Sequence, residues 1–231
     1  LRKYYLLISF FITAYNCTAQ ETTPKRNRLT ETVTEHFNVL KSNKNIKEGL
    51  YQALYLNKTA IATGKYADNQ KTGLWNFFDT KGTLVQRFNY NSKRVLYEEP
   101  VDSLSLQYVQ YLFDRKFKDS DRITKPIRVG GRCYGYLPYL SFFHLSADYY
   151  LWGNNYYGVL ELLISPGGRL ADVKIHIKTG GDDTDRVTSF SPDIFSEEDK
   201  QFIPATLNGE PILSRIFVIC RVTHDGGLDI L

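Results

Sequence analysis

Part of the chain repeats itself at a spacing of 24 residues, and any fold must accommodate that period. Gly49-Leu50-Tyr51 aligns with Gly73-Leu74-Trp75, Ile61 with Val85, and Tyr66 with Tyr90. Turn-forming residues fall inside each unit, Leu56-Asn57-Lys58 in the first and Asp79-Thr80-Lys81-Gly82 in the second. Each unit reads as a hairpin: an aromatic strand, a tight turn and a return strand. Residues 29–41 fit helical spacing (Leu29, Val33, Phe37, Leu40) and also one face of a strand (Val33, Phe37, Val39). The β-repeat that follows favours the strand. An aromatic content of 14%, with 17 Tyr, leans the same way. Tyr51, Tyr55, Trp75, Phe77 and Phe78 read first as the core of this sheet, and second as an aromatic binding face.

The second half carries another hairpin pattern. In residues 158–164, Val159, Leu162 and Ile164 mix with Leu160 and Leu163, as in a strand covered on both faces. Ser165-Pro166-Gly167-Gly168-Arg169 is a turn. Residues 170–178 then alternate, with Val173, Ile175 and Ile177 on one face and Lys174, His176 and Lys178 on the other. Asn208-Gly209 marks a further tight turn. Residues 212–222 are the most apolar strand candidate in the chain. Between the halves, Asp102 suits an N-cap, and Leu104, Tyr108, Val109, Leu112, Phe113 and Phe117 fall at helical spacing. This predicts a helix over 103–118, followed by a charged loop to residue 125. Short helices are expected within 137–150, with Pro138 in the first turn, and over 196–202, opened by Ser196-Glu197-Glu198-Asp199.

The residues from Pro126 onward carry a resemblance. Gly130-Gly131, the aromatic stretch 134–150, the Gly-Gly-Arg-Leu turn and strand, and Phe202-Ile203-Pro204-Ala205 followed by Asn208-Gly209-Glu210-Pro211-Ile212 are similar to the C-terminal domain of TonB, the envelope energy transducer, in its Bacteroidetes form. The 24-residue units, with Phe77-Phe78-Asp79-Thr80-Lys81-Gly82-Thr83-Leu84, resemble MORN-type repeats of proteins often described as antitoxin components. The expected fold class is therefore α+β. It comprises a β-meander of MORN-like hairpins (29–100), a linking helix and loop (101–125) and a TonB-like antiparallel sheet with short helices (126–231). The TonB-like resemblance implies a non-catalytic envelope module that adds an extended peptide to a sheet edge. That peptide would come from an outer-membrane TonB-dependent receptor, bound at the last strand through Ile212, Ser214, Ile216 and Val218. The MORN-like resemblance implies the alternative, an antitoxin or immunity-like protein that grips a folded partner through Tyr51, Tyr55 and Trp75.

Residues 1–19 read as a secretory signal peptide: Arg2-Lys3, an apolar run over 4–14, and Cys17-Thr18-Ala19 before Gln20. The run is shorter than the ~20 residues a membrane span needs. A lipoprotein signal acylated at Cys17 is the second reading. Residues 20–28 are expected to be a flexible lead. The net charge is +4, and +2 without Arg2 and Lys3, which gives no basis for nucleic-acid binding. In an oxidising compartment Cys133 and Cys220 are free to pair or to remain buried thiols. No catalytic, cofactor or metal site is expected. His36, His144, His176 and His224 are scattered, and Gly180-Gly181-Asp182-Asp183-Thr184-Asp185 lacks calcium-loop spacing and reads as an acidic surface turn.

Overall fold

The computed structural model describes residues 21–102, 105–145, 156–179 and 182–231, with only the backbone of 182–185. The expected signal peptide, Cys17 included, lies outside the described residues, as do 146–150 of the expected short-helix stretch and the start of the acidic turn at 180–181.

Seven strands form one antiparallel meander in chain order: β1 (Thr22–Arg28), β2 (Val33–Leu40), β3 (Lys47–Tyr55), β4 (Thr59–Ala67), β5 (Gln70–Phe78), β6 (Leu84–Asn89) and β7 (Arg94–Glu98). The hairpins read from the repeat are β3–β4 and β5–β6. Strict alternation along β2 buries Val33, Glu35, Phe37 and Val39 on one face. Residues 22–28 are not a flexible lead. They form β1, whose seven residues all pair with β2. Their polarity is that of an edge strand, where Pro24 and the neighbouring Lys25 and Arg26 discourage pairing with another chain.

The second sheet has the order β12-β11-β10-β15-β16, with β8 also on β15. Its members are β8 (Val109–Phe113), β10 (Tyr156–Ile164), β11 (Leu170–Thr179), β12 (Asp182–Phe190), β15 (Ser214–Val222) and β16 (Leu228–Ile230). A small third sheet joins β9 (Ile123–Thr124) to the hairpin β13 (Ala205–Leu207) and β14 (Glu210–Ile212), turned by Asn208-Gly209. Two single-turn helices, α1 (Gly131–Tyr134) and α2 (Leu137–Leu140), complete the core. Tyr134 stacks on Phe77 of the meander at 5.7 Å between centroids, while α2 packs on β16. One apolar cluster runs through both large sheets.

The architecture is mostly β and not α+β: among the described residues 55% are in strands and 7% in helices. The linking helix predicted over 103–118 is absent from the described residues. Ser105–Gln107 makes one 3-10 turn, and 109–113 is strand β8. Val109, Tyr111 and Phe113 satisfy a period of two as well as Val109, Leu112 and Phe113 satisfy helical spacing. Pairing of Val109–Phe113 with Ser214–Val218 decides between them, because it gives the backbone of both strands partners. The helix expected over 196–202 reduces to a turn in which the Lys200 N–H donates to the Ser196 carbonyl at 3.1 Å. Its start is capped as expected, with the Asp199 N–H donating to Ser196 Oγ at 3.2 Å.

Side chains far apart in sequence lock the halves together. Asp229 is fully buried and accepts hydrogen bonds from Thr30 Oγ1, the Thr32 N–H, Thr32 Oγ1 and Arg221. Within the second half, the buried Arg128 guanidinium pairs with Asp199 and donates to the carbonyls of Gly135, Glu198 and Gln201. Among the described residues no helix is long and apolar enough to cross a membrane.

Candidate binding groove

The repeat builds one device twice. Lys47-Glu48-Gly49-Leu50-Tyr51 and Lys71-Thr72-Gly73-Leu74-Trp75 share the pattern Lys-x-Gly-Leu-aromatic. In each, three residues that include the Gly-Leu pair face a single residue of the preceding strand, Asn38 in one case and Gly64 in the other. The glycines take φ of 85° and 61°, a region that side chains rarely enter. The lysine and the ring of each unit fall on the inner face. Lys47 Nζ lies 4.2 Å from the Phe37 ring centroid, and Lys71 Nζ lies 5.4 Å from that of Trp75. The leucines fall on the outer face, where Leu50 is 64% and Leu74 44% exposed.

Residues paired across neighbouring strands share a face. Following the register therefore gives a continuous outer row: Arg26, His36, Gln52, Thr63, Asn76, Arg87 and Tyr97, one from each strand of the meander. A second row beside it places Lys65 directly opposite Leu50. Trp75 supports this stretch from behind. Its ring lies against Gly64, where a Cβ would come within 2.2 Å of the indole, and its Nε1–H donates to the Lys65 carbonyl at 3.2 Å.

These rows line an open groove of about 800 Å³ across β1 to β5. Lys25, Arg26, His36 and Lys65 contribute to the lining, with no Asp or Glu among the residues that form it. Lys25 Nζ donates to the Lys44 carbonyl at 2.8 Å. The charged groups of Arg26 and Lys65 have no hydrogen-bond or ion-pair partner among the described residues. Glu48, two residues before Leu50, accepts from the Asp68 N–H at 2.9 Å. The outer face is thus cationic, rich in amides and interrupted by two aliphatic side chains.

The residues singled out from sequence lie elsewhere. Trp75 and Tyr51 are 0% and 1% exposed, so neither offers a ring to a partner; Tyr55 is half-buried and packs on the same core. Ile212, Ser214, Ile216 and Val218 are buried too. Strand β15 is not an edge: β10 pairs along one side, and β8 and β16 occupy the other. A peptide cannot add there without displacing a strand. Ile212 lies outside β15 altogether, in β14.

His176 is not a solvated side chain. It is half-buried and its Nε2 lies 2.8 Å from Glu161, which also pairs with Arg215. Cys133 and Cys220 are both free and buried, and burial pushes each thiol up to about 12, well away from thiolate chemistry. Among the described residues no cluster of His, Cys, Asp and Glu could hold a metal ion.

No family model, curated protein or solved structure matches this chain. The groove itself carries the functional argument. Sequence reasoning missed it for two reasons. Arg26 and Lys25 sat in the supposed flexible lead, and the alignment of the repeats began at Gly49 and Gly73. Extending it two residues upstream would have matched Lys47 with Lys71 and separated the inward lysine and ring from the outward leucine.

Proposed function

We propose that this protein is a non-catalytic binding module of the cell envelope that holds a partner protein on the outer face of its meander. The observation that carries this reading is the carboxylate-free groove with two leucines presented to water by the same repeated device. Unpaired cations and exposed aliphatic side chains on one concave face form a surface that a complementary partner would stabilise. The envelope location rests on the signal-like pattern of residues 1–19 and on the TonB-like character of 126–231. On the alternative in which the chain itself is antitoxin- or immunity-like, its folded partner would meet Leu50 and Leu74, since Tyr51 and Trp75 face inward.

Strand addition to the C-terminal sheet is the second reading, moved from β15 to β12. Among the described residues β12 pairs only with β11, and Val187 is 50% exposed. A photo-crosslinking residue placed at Gln52 or at Val187 in the native host separates the two. The groove reading expects a saturable adduct at position 52 that disappears with Lys65→Glu, in cells where fractionation finds the protein in the envelope. An adduct at position 187 alone overturns it in favour of strand addition, the mode through which a TonB-dependent receptor peptide would bind.

A further inference from the structure

We infer that the groove accepts an extended acidic segment of the partner, about six residues long, in which apolar side chains two positions to either side flank a carboxylate on the same face. This rests on the binding-module reading above and adds the chemistry of what is bound.

Charge sets the first requirement. The lining offers the unpaired ammonium of Lys65 and the unpaired guanidinium of Arg26, with His36 beside it and no acid to neutralise them. A carboxylate approaching this face meets no like charge within the groove. The amides of Gln52 and Asn76 and the hydroxyl of Thr63 lie in the row between, suited to a peptide backbone, which presents both donors and acceptors.

Apolar contact sets the second. Leu50 lies opposite Lys65 on one side, and Leu74 stands on β5 at the other, so the ammonium is bracketed by aliphatic side chains. A polyanionic glycan would satisfy the cations but bring no aliphatic side chain to either leucine. A segment with apolar residues around an acid meets both demands at once.

Length sets the third. Strands β1 to β5 are five neighbours, and at ~4.8 Å per strand the groove spans roughly 19 Å, the reach of about six extended residues.

Fluorescence anisotropy on the full chain tests this with four probes: a labelled Leu-Ser-Glu-Ser-Leu-Ser peptide (Leu/Glu), which sets its Leu and Glu side chains on one face, its Leu-Ser-Gln-Ser-Leu-Ser counterpart (Leu/Gln), hexaglutamate, and polygalacturonate as an unlabelled competitor. The Leu/Glu peptide is expected to bind saturably, and the Leu/Gln and all-Glu peptides about tenfold or more weakly. Lys65→Glu should weaken Leu/Glu binding by about tenfold and turn preference toward a Leu/Lys peptide, a swap that damaged folding would not produce. Leu50→Asn with Leu74→Asn should remove the preference for Leu/Glu over hexaglutamate. Equal binding of Leu/Glu and Leu/Gln overturns the acidic requirement, and displacement by polygalacturonate in the absence of any peptide preference assigns the groove to a glycan. If the position-52 adduct forms while no peptide binds, the acidic-segment inference fails and the module reading stands. If neither occurs, both fail.

Discussion

The two Lys-x-Gly-Leu-aromatic units are alike in sequence but solve their packing differently. In the first, Tyr51 pairs across from Phe37, so two rings share the space, and Lys47 finds its carboxylate at Glu35 on the neighbouring strand. In the second, Trp75 lies over Gly64 and one large ring fills both positions. Lys71 finds its carboxylate at Glu198, 127 residues away, with the Tyr90 hydroxyl donating to the same oxygen at 3.2 Å. The ion pair of the first unit closes within the meander, and its link to α1 is the Tyr134 hydroxyl donating to Tyr51 Oη at 3.0 Å. The second uses the same parts to join the meander to the rest of the protein. A repeat therefore fixes what each residue does locally, while the partner it recruits depends on what lies above it in the fold.

The ring comparison predicts the largest effect. Trp75→Ala removes a fully buried side chain and should cost about 3–5 kcal/mol in urea unfolding. Gly64→Ala should cost about 1–3 kcal/mol alone and much less in the Trp75→Ala background, because the clash is with the indole. If the two costs simply add, Trp75 is not what keeps position 64 small.

Next come the lysines. Lys47→Met leaves the Glu35 carboxylate, whose side chain is only 8% exposed, without its counter-charge and with the Asn27 amide as a remaining donor, and should cost about 2–3 kcal/mol. Lys71→Met leaves Glu198, which is 49% exposed and can be rehydrated, so the loss should be about 1 kcal/mol or less. The longer-range contact is thus expected to matter less for global stability. Its loss should show instead in hydrogen exchange, as faster exchange of the Lys200 and Gln201 amides, a change that Lys47→Met should not produce.

The smallest effect is a pH dependence. Burial pushes Glu198 up, but the Lys71 ammonium and its hydrogen bond, together with Arg128, hold it below its ordinary value of 4.5. A carboxyl depressed in the folded state contributes stability that is present above its unfolded pKa and lost as pH falls through the folded one. Stability should therefore decline below about pH 4.5, and Lys71→Met should flatten that decline. An unchanged slope would assign the acid sensitivity to other carboxylates.

The meander was largely legible because its neighbours in space are neighbours in sequence. Alternation in 33–39, the 24-residue period and the turn residues place β2 through β6 without knowledge of anything distant. The Asn208-Gly209 and Ser165–Arg169 turns were legible for the same reason. What failed depended on remote partners. Nothing in 22–28 shows that β2 will accept a polar edge strand. Nothing in 109–113 shows that β15 lies waiting. The rings of Tyr51 and Trp75 are visible in the sequence as aromatic residues, but nothing local shows which face of the sheet they take. Tyr51 is covered by α1, whose Tyr134 ring lies against it and against Phe77, and Trp75 is enclosed by the rings of Tyr51, Tyr66 and Tyr90.

Strand β8 has a consequence for how the chain assembles. It emerges from the ribosome well before its partner, since Phe113 must wait for Ser214, about a hundred residues later. The meander is complete by Glu98 and can close as it is made. The second sheet cannot gain β15 until residues 214–222 are made, after β8, β10, β11 and β12. Val109–Phe113 therefore passes through synthesis as an unpaired, partly apolar strand, and holdase chaperones or truncation products should engage the protein at that segment first.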